Sequence, residues 1–277
     1  MNGIQINYQI IRYNGDIITN KEYTKGHWKT KAKDNISSSI VTLNDHFQRE
    51  LEINFIIKYL QSSDKLLEVG CGNGYSTNYF AKYVNEVVAV DYSKEMIERA
   101  KSEFGDIENA RFIVNDVLNL EFKPNTFDCV VTERCLINLS SWEDQKKAFN
   151  NIFNVLKPGG HFIFVEGIED GIRNLNLIRK NIGLKEIVTA KYNLNFVENE
   201  LIDYLKTKFE FLVINKFGTY DYISRIVHPK LVWPNEPQYD SNINKIAKEI
   251  QDSTYNTDLD KYSRLICIVL KKSTLKN

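Results

Sequence analysis

The segment Glu68-Val69-Gly70-Cys71-Gly72-Asn73-Gly74 carries the densest chemical signal in the chain. It follows a short apolar run, Lys65–Val69, and opens a stretch with helical spacing. Glycines at such a place admit positive φ and let the backbone approach a ligand closely. In a dinucleotide-binding fold the same place carries G-x-G-x-x-G and cradles a pyrophosphate on a helix N-terminus. Here the spacing is G-x-G-x-G, with an acid, Glu68, two positions before the first glycine. That acid suits a ligand with a cationic amino-acid end better than a diphosphate. A glycine turn that merely joins strand to helix would show the same local pattern.

Further polar residues fall at the ends of apolar runs. Asp91 follows Glu86–Val90 (EVVAV). A carboxylate there can accept hydrogen bonds from both hydroxyls of a ribose, or it can cap the helix that opens at Ser93. Met96, one turn into that helix, can touch an adenine or pack in the core. Asn115-Asp116-Val117 stand at the next strand end, where a carboxylate can accept from the adenine amino group and a backbone N–H can donate to the ring. Glu133, Arg134 and Asn138 follow the run Phe127–Thr132, and Glu166 ends HFIFVE. Later, Tyr220, Tyr222, Arg225 and His228 cluster. Glu133, Glu166 and His228 are the candidate general bases, His228 because an imidazole titrates near neutrality. Arg134 or Arg225 can grip an anionic group such as phosphate. Asn138, Tyr220 and Tyr222 complete the candidate acceptor side. Tyr23, His27 and Trp28 can form a lid, or lie on an ordinary surface strand or coil.

The elements that must position these residues alternate. Apolar residues at Ile36, Ile40, Leu43, Phe47, Leu51 and Phe55 predict an amphipathic helix. Strands are predicted at Lys65–Val69, Glu86–Val90, Arg111–Asn115, Phe127–Thr132 and His161–Glu166. Helices are predicted at Gly74–Val84, Ser93–Phe104 and Ser141–Leu156, the last with Ser140 and Glu143 as a capping box. Near-continuous apolar strands alternating with helices imply a parallel sheet covered on both faces. After Gly167 the rhythm breaks. A helix at Glu198–Lys206, strands at Phe209–Phe217 and Leu265–Leu270, and a helix near Ile243–Ile250 remain. One domain is expected: an N-terminal lid and helix over 1–62, a ligand-binding core over 63–217, a substrate cap inserted at 218–264, and a last strand and tail over 265–277.

The order strand–E-x-G-x-G-x-G–helix, strand–Asp, strand–Asn-Asp, then FDCVV and LKPGGHFIF resembles the class I S-adenosylmethionine (SAM)-dependent methyltransferase family over roughly Leu66 to Glu166. The resemblance implies an α/β, doubly wound, mostly parallel seven-stranded sheet, Rossmann-like, with its last strand reversed. It also implies SAM as cofactor and S-adenosylhomocysteine (SAH) as product. By the same resemblance, Glu68, Gly70, Gly72 and Gly74 would lie near the methionine part, Asp91 at the ribose, and Asp116 and Val117 at the adenine; Cys71, Tyr92, Met96, Asn115 and Glu133 join them as candidate cofactor-binding residues. The runs ERCLINL, VEGIEDGIRNLN and FGTYDYISRIVHP are similar to small-molecule methyltransferases of bacterial surface-polysaccharide pathways. That implies a sugar, sugar phosphate or phosphoramidate oxygen as acceptor. A quinone-like or amine metabolite, or a non-catalytic SAM-binding regulatory module, are the alternatives.

Composition narrows the field. The 277 residues carry 36 basic and 36 acidic side chains, so there is no bulk basic surplus of the kind nucleic-acid binding asks for. No apolar stretch reaches the roughly 18 residues of a membrane span, and the N-terminus lacks the pattern of a signal peptide. The four cysteines form no C-x-x-C pair and the four histidines no metal-ligand spacing, so no metal and a reducing cytoplasm are expected. A nicotinamide oxidoreductase should show G-x-G-x-x-G and a Tyr-x-x-x-Lys pair, and neither appears in the right context. TERCLIN stands where a nucleic-acid amino methyltransferase carries Asn/Asp-Pro-Pro-Tyr/Phe.

Overall fold

The computed structural model describes residues 11–13, 16–34 and 36–273. Residues 1–10 of the expected lid and 274–277 of the expected tail lie outside them. The described chain opens with a small hairpin, β1 (Ile11–Tyr13) and β2 (Asp16–Ile18), and continues into helix α1 (Asn20–Lys33). Thr19 and Glu22 cap α1 reciprocally: each side chain accepts from the other's backbone N–H, at 3.3 and 2.8 Å. This segment is therefore a helix rather than the strand or coil that was the alternative.

Helix α2 covers His46–Ile57, beginning ten residues after the expected start at Ile36. Asp45 sets the boundary, because its carboxylate accepts from the Gln48 N–H at 3.1 Å and so caps the first turn. Strand β3 (Lys65–Val69) leads into the glycine turn. The expected helix 74–84 shrinks to one α-turn, α3 (Thr77–Phe80), flanked by tighter bonds from Lys82 N–H to Tyr79 O and from Tyr83 N–H to Phe80 O. Then come β4 (Glu86–Asp91), α4 (Lys94–Phe104), β5 (Ala110–Val114), β6 (Phe127–Glu133), α5 (Trp142–Val155) and β7 (Leu156–Gly167). Ser93 caps α4 as the sequence indicates, accepting from Met96 N–H. The cap of α5 is Ser141, not Ser140, with Asp144 N–H donating to its hydroxyl. Strand β7 starts before Pro158, where the register against β6 shifts and a residue without an N–H is tolerated.

Helices α6 (Glu169–Asn181) and α7 (Glu198–Lys206) precede strand β8 (Phe209–Lys216). The segment 218–264 is helical: α8 (Gly218–Tyr222), a π-turn (Ile223–Val227), α9 (His228–Val232) and α10 (Asn242–Ser253). Strand β9 (Leu265–Lys272) follows.

The main sheet has the order β5-β4-β3-β6-β7-β9-β8. The five strands from β5 to β7 are parallel, and β9 runs antiparallel between β7 and β8. This is the Rossmann-like seven-stranded sheet with one reversed strand. The period of two divides the core. Leu66, Val87, Ala89, Cys129 and Val131 face Leu51, Phe55 and Ile97 from α2 and α4. Leu67, Val88, Val90, Val130 and Phe162 face Phe149, Ile152, Leu201 and Leu205 from α5 and α7. With both faces covered, the open places are the strand ends, and in such sheets ligands bind beyond the C-terminal ends.

Candidate active site

The turn after β3 takes its form from three left-handed glycines, Gly70, Gly72 and Gly74, at φ 79°, 53° and 79°. A Cβ at Gly70 would meet Cys135 Sγ at 2.4 Å, and one at Gly74 would meet Phe112 Cε1 at 2.8 Å. The N–H groups of Gly70 and Cys71 both donate to Val90 O, which ties the turn to the end of β4. Asp91 adds a second tie: Gly72 N–H donates to Oδ2 at 3.0 Å and Ser93 N–H to Oδ1 at 2.8 Å. Asp116 accepts from Leu118 N–H at 2.9 Å, which fixes the turn beyond β5.

A cleft of about 1000 Å³ of atom-free space, counting its solvent-open mouth, lies over these strand ends. Its walls include Glu68, Gly70, Cys71, Gly72, Asp91, Tyr92, Met96, Asn115, Asp116, Val117, Glu133, Arg134 and Asn138, all singled out from sequence. Trp28 closes it from α1, donating through Nε1 to Asn138 Oδ1 at 2.8 Å. His27 stacks on Tyr192 beside it, with ring centroids 4.2 Å apart.

Glu68 is buried and Glu133 and Asp91 are partly buried, and loss of water around them pushes these three carboxyls upward: Glu68 to about 8, Glu133 to about 7 and Asp91 to about 6. Nearby carboxylates push the same way. Thr77 Oγ1 donates to Glu68 at 2.5 Å and Ser76 Oγ to Glu133 at 2.7 Å, each favouring the ionised form against that trend.

Other expected residues are placed elsewhere. Gly74 shapes the turn but does not line the cleft. Glu166 is fully buried below it, accepting from the backbone N–H groups of Cys135, Leu136 and Ile137 at 3.0, 2.9 and 3.2 Å. It pins the loop after β6 and has no face toward an acceptor, which corrects its assignment as a base. His228 is buried against α10, with Nδ1 2.9 Å from Asn244 Oδ1, and does not reach the cleft. Tyr220 donates to Asp45 Oδ1 at 2.5 Å, and Arg225 pairs with the same carboxylate. Tyr222 packs on Tyr262. The acceptor-binding role expected of these three residues is thereby corrected: Tyr220 and Arg225 join the segment 218–264 to the cap of α2, and Tyr222 packs within the segment. Arg134 lines the cleft, but its guanidinium is held by Glu52.

Sequence reasoning missed Arg49, Tyr75 and Ser76. Arg49 is buried in the cleft wall, bonds Thr42 Oγ1 at 2.7 Å, lies over the Tyr75 ring, and leaves Nε without a partner among the described residues. The signal was present in the sequence: Arg49 and Glu52 sit on the same helical stripe as Ile53 and Ile56, where an ordinary core helix carries apolar residues. Among the described residues, no group of His, Cys, Asp and Glu is arranged to hold a metal ion, and no helix is long and apolar enough to cross a membrane.

Comparison with known proteins points the same way. Residues 67–164 match the family described as "Methyltransferase domain". An uncharacterized methyltransferase of Schizosaccharomyces pombe is 34% identical over 117 residues, 39% of this chain and 41% of that protein. The demethylmenaquinone methyltransferase of Staphylococcus saprophyticus is 34% identical over 110 residues, 39% of this chain and 46% of that protein. The chain thus spans less than half the length of these two relatives. Among solved structures, the N-methyltransferase NodS from Bradyrhizobium japonicum in complex with SAH superposes with a TM-score of 0.57. It is 15% identical, with 90% of this chain and 98% of that one covered, a likeness of fold. Residues 67–164 thus match a methyltransferase domain, and the chain resembles SAM-dependent methyltransferases in sequence over that stretch and in fold beyond it.

Proposed function

We propose that this protein transfers a methyl group from SAM to an uncharged, hydroxyl-bearing small molecule. The observation that carries the reading is the convergence of the glycine turn, Asp91, Asp116 and Glu133 on one cleft. SAM fits the residues present. Gly70 and Gly72 present bare backbone to the cleft, with Cys135 and Thr42 already against them, and Arg49 in the cleft wall has a buried Nε without a partner among the described residues. Asp91 would hold the ribose hydroxyls, Asp116 and Val117 the adenine, and Arg49 the methionine carboxylate. When bound, SAM supplies an activated methyl group and leaves as a neutral thioether.

The chain's part is to orient the acceptor in line and take its proton. Glu133 lines the cleft, has a pKa near operating pH, and has Ser76 fixing one oxygen. As the acceptor oxygen forms its bond to the methyl carbon, Glu133 takes the hydroxyl proton. Trp28 and Tyr75 supply aromatic walls of the cleft. Arg134 is bound to Glu52 and Arg225 to Asp45, which favours an uncharged sugar or hydroquinone-like hydroxyl over a sugar phosphate.

The test is SAH formation with panels of sugars, sugar phosphates and hydroquinones, wild type against Glu133→Gln. The expected loss in kcat is about 100-fold or more, with SAH affinity nearly unchanged. Full turnover by Glu133→Gln removes it as base. No SAH binding to wild type by calorimetry would sink the methyl-transfer reading itself.

A further inference from the structure

Arg134 stands at φ 51°, a left-handed conformation that a side-chain-bearing residue adopts only when its surroundings enforce it. The surroundings are explicit. Its N–H donates to Val165 O at 2.8 Å, and its carbonyl accepts from Asn138 Nδ2 at 2.8 Å. Its guanidinium forks onto Glu52, Nε at 2.9 and 3.2 Å and Nη2 at 2.6 Å. Glu52 is fully buried on α2, three residues past Arg49. Two acids and two guanidiniums, Glu133, Arg49, Glu52 and Arg134, thus share one buried region at the floor of the cleft.

Resting on the methyl-transfer reading above, we propose that Glu52 is a positioning residue of this site. It clamps Arg134, so holding the turn that carries Glu133, and it sets a second buried negative charge beside Glu133. Without Glu52, Arg49 and Arg134 would both act on Glu133 alone and fix it as a weakly basic carboxylate. With Glu52 sharing both cations, Glu133 keeps proton affinity near neutrality, where a base can exchange protons with an acceptor. The other groups that interact with Glu133 are the Ser76 hydroxyl, Glu68 of β3 and Cys267 of β9. Burial pushes the Glu68 carboxyl and the Cys267 thiol toward their neutral forms, so neither replaces the charge of Glu52.

The experiment is a carboxylate titration of ¹³C-glutamate-labelled protein by NMR, with the Glu133 signal assigned through Glu133→Gln. Glu52→Gln is expected to lower the Glu133 midpoint by about one pH unit, a tenfold rise in its proton dissociation constant. Glu52→Asp keeps the charge and returns the midpoint toward wild type while lowering the melting temperature. A folded Glu52→Gln protein whose Glu133 midpoint stays at the wild-type value overturns the proposal, since a merely structural role would move only the melting temperature. Glu52→Met, which keeps the volume and removes the charge, carries the same expectation should the Gln variant not fold. The titration needs no methyl donor. Failure of wild type to bind SAH would therefore strike the methyl-transfer reading and leave the midpoint shift to be judged separately.

Discussion

Replacing Asp91 with alanine tests the donor half of the cleft most directly. Each Asp91 oxygen already accepts one backbone N–H, from Gly72 and from Ser93, and each keeps one acceptor position. Two ribose hydroxyls can occupy those positions. A hydrogen bond to a charged group is worth about 1.5–3 kcal/mol. Loss of one such bond weakens SAH binding about tenfold or more, and loss of two at the low end approaches 150-fold. Asp91→Asn serves as the control, because it keeps one oxygen acceptor and should fall between wild type and Asp91→Ala. The assay is isothermal titration calorimetry with SAH at pH 7.5. Burial pushes the Asp91 carboxyl up to about 6, so wild-type affinity should fall as pH drops through 6 and the acceptor is neutralised. In Asp91→Ala that part of the pH dependence disappears. A folded Asp91→Ala protein that binds SAH within threefold of wild type would refute the ribose assignment.

The ligand-free protein should lose stability as pH rises. Burial lifts Glu68 to about 8, Glu133 and Glu166 to about 7 and Asp91 to about 6, each above its unfolded value. A raised folded pKa means that the contribution is complete below the unfolded pKa and is lost as pH climbs through the folded one. Melting temperature should therefore drop by several degrees between pH 5.5 and 8.5 in a fluorescence melt; a flat or rising profile would contradict these buried acids. On α1, Trp28→Phe removes the bond to Asn138, worth about 1 kcal/mol. Its expected effect is SAH dissociation about fivefold faster by surface plasmon resonance, and an unchanged off-rate would argue against α1 as a lid.

The donor half was legible because its signals are local. The glycine turn, Asp91 and Asp116 each follow an apolar run within a few residues, and the end of a buried parallel strand can point to only one place. The segment 218–264 was not legible in the same way. Tyr220, Arg225 and His228 looked like a polar cluster awaiting a ligand, but their partners, Asp45 and Asn244, lie 175, 180 and 16 residues away. Glu166 misled for a related reason. It ends a strand as Glu133 does, yet the loop after β6 folds over it and offers three N–H groups, which turns a candidate base into a loop anchor. Arg49 was hidden by the helical period itself. A charged residue on an apolar stripe reads as a pattern error until Glu133 and Glu52 are seen beside it.

The same placement bears on the acceptor. The matched residues 67–164 supply the strand ends and the turn from Glu133 to Asn138. Trp28, Thr42, Leu43 and Arg49, which complete the cleft wall, lie outside that range. Relatives that share the core can therefore share the donor while differing in what they methylate. An anionic acceptor would need a cation here, and each arginine proposed for that task already has a buried carboxylate. Drawing Arg134 onto a phosphate would strand Glu52, and drawing Arg225 would strand Asp45. Leaving one partner of a buried ion pair uncompensated costs about 3–5 kcal/mol. A new charge-assisted hydrogen bond returns about 1.5–3 kcal/mol, so the exchange runs against binding. Arg49 is the remaining cation of the cleft wall; its buried Nε has no partner among the described residues, and the proposed function gives it the methionine carboxylate. On the proposed function, these charges would leave the site's anion-binding capacity to the donor and the acceptor to aromatic surface and neutral hydrogen bonds.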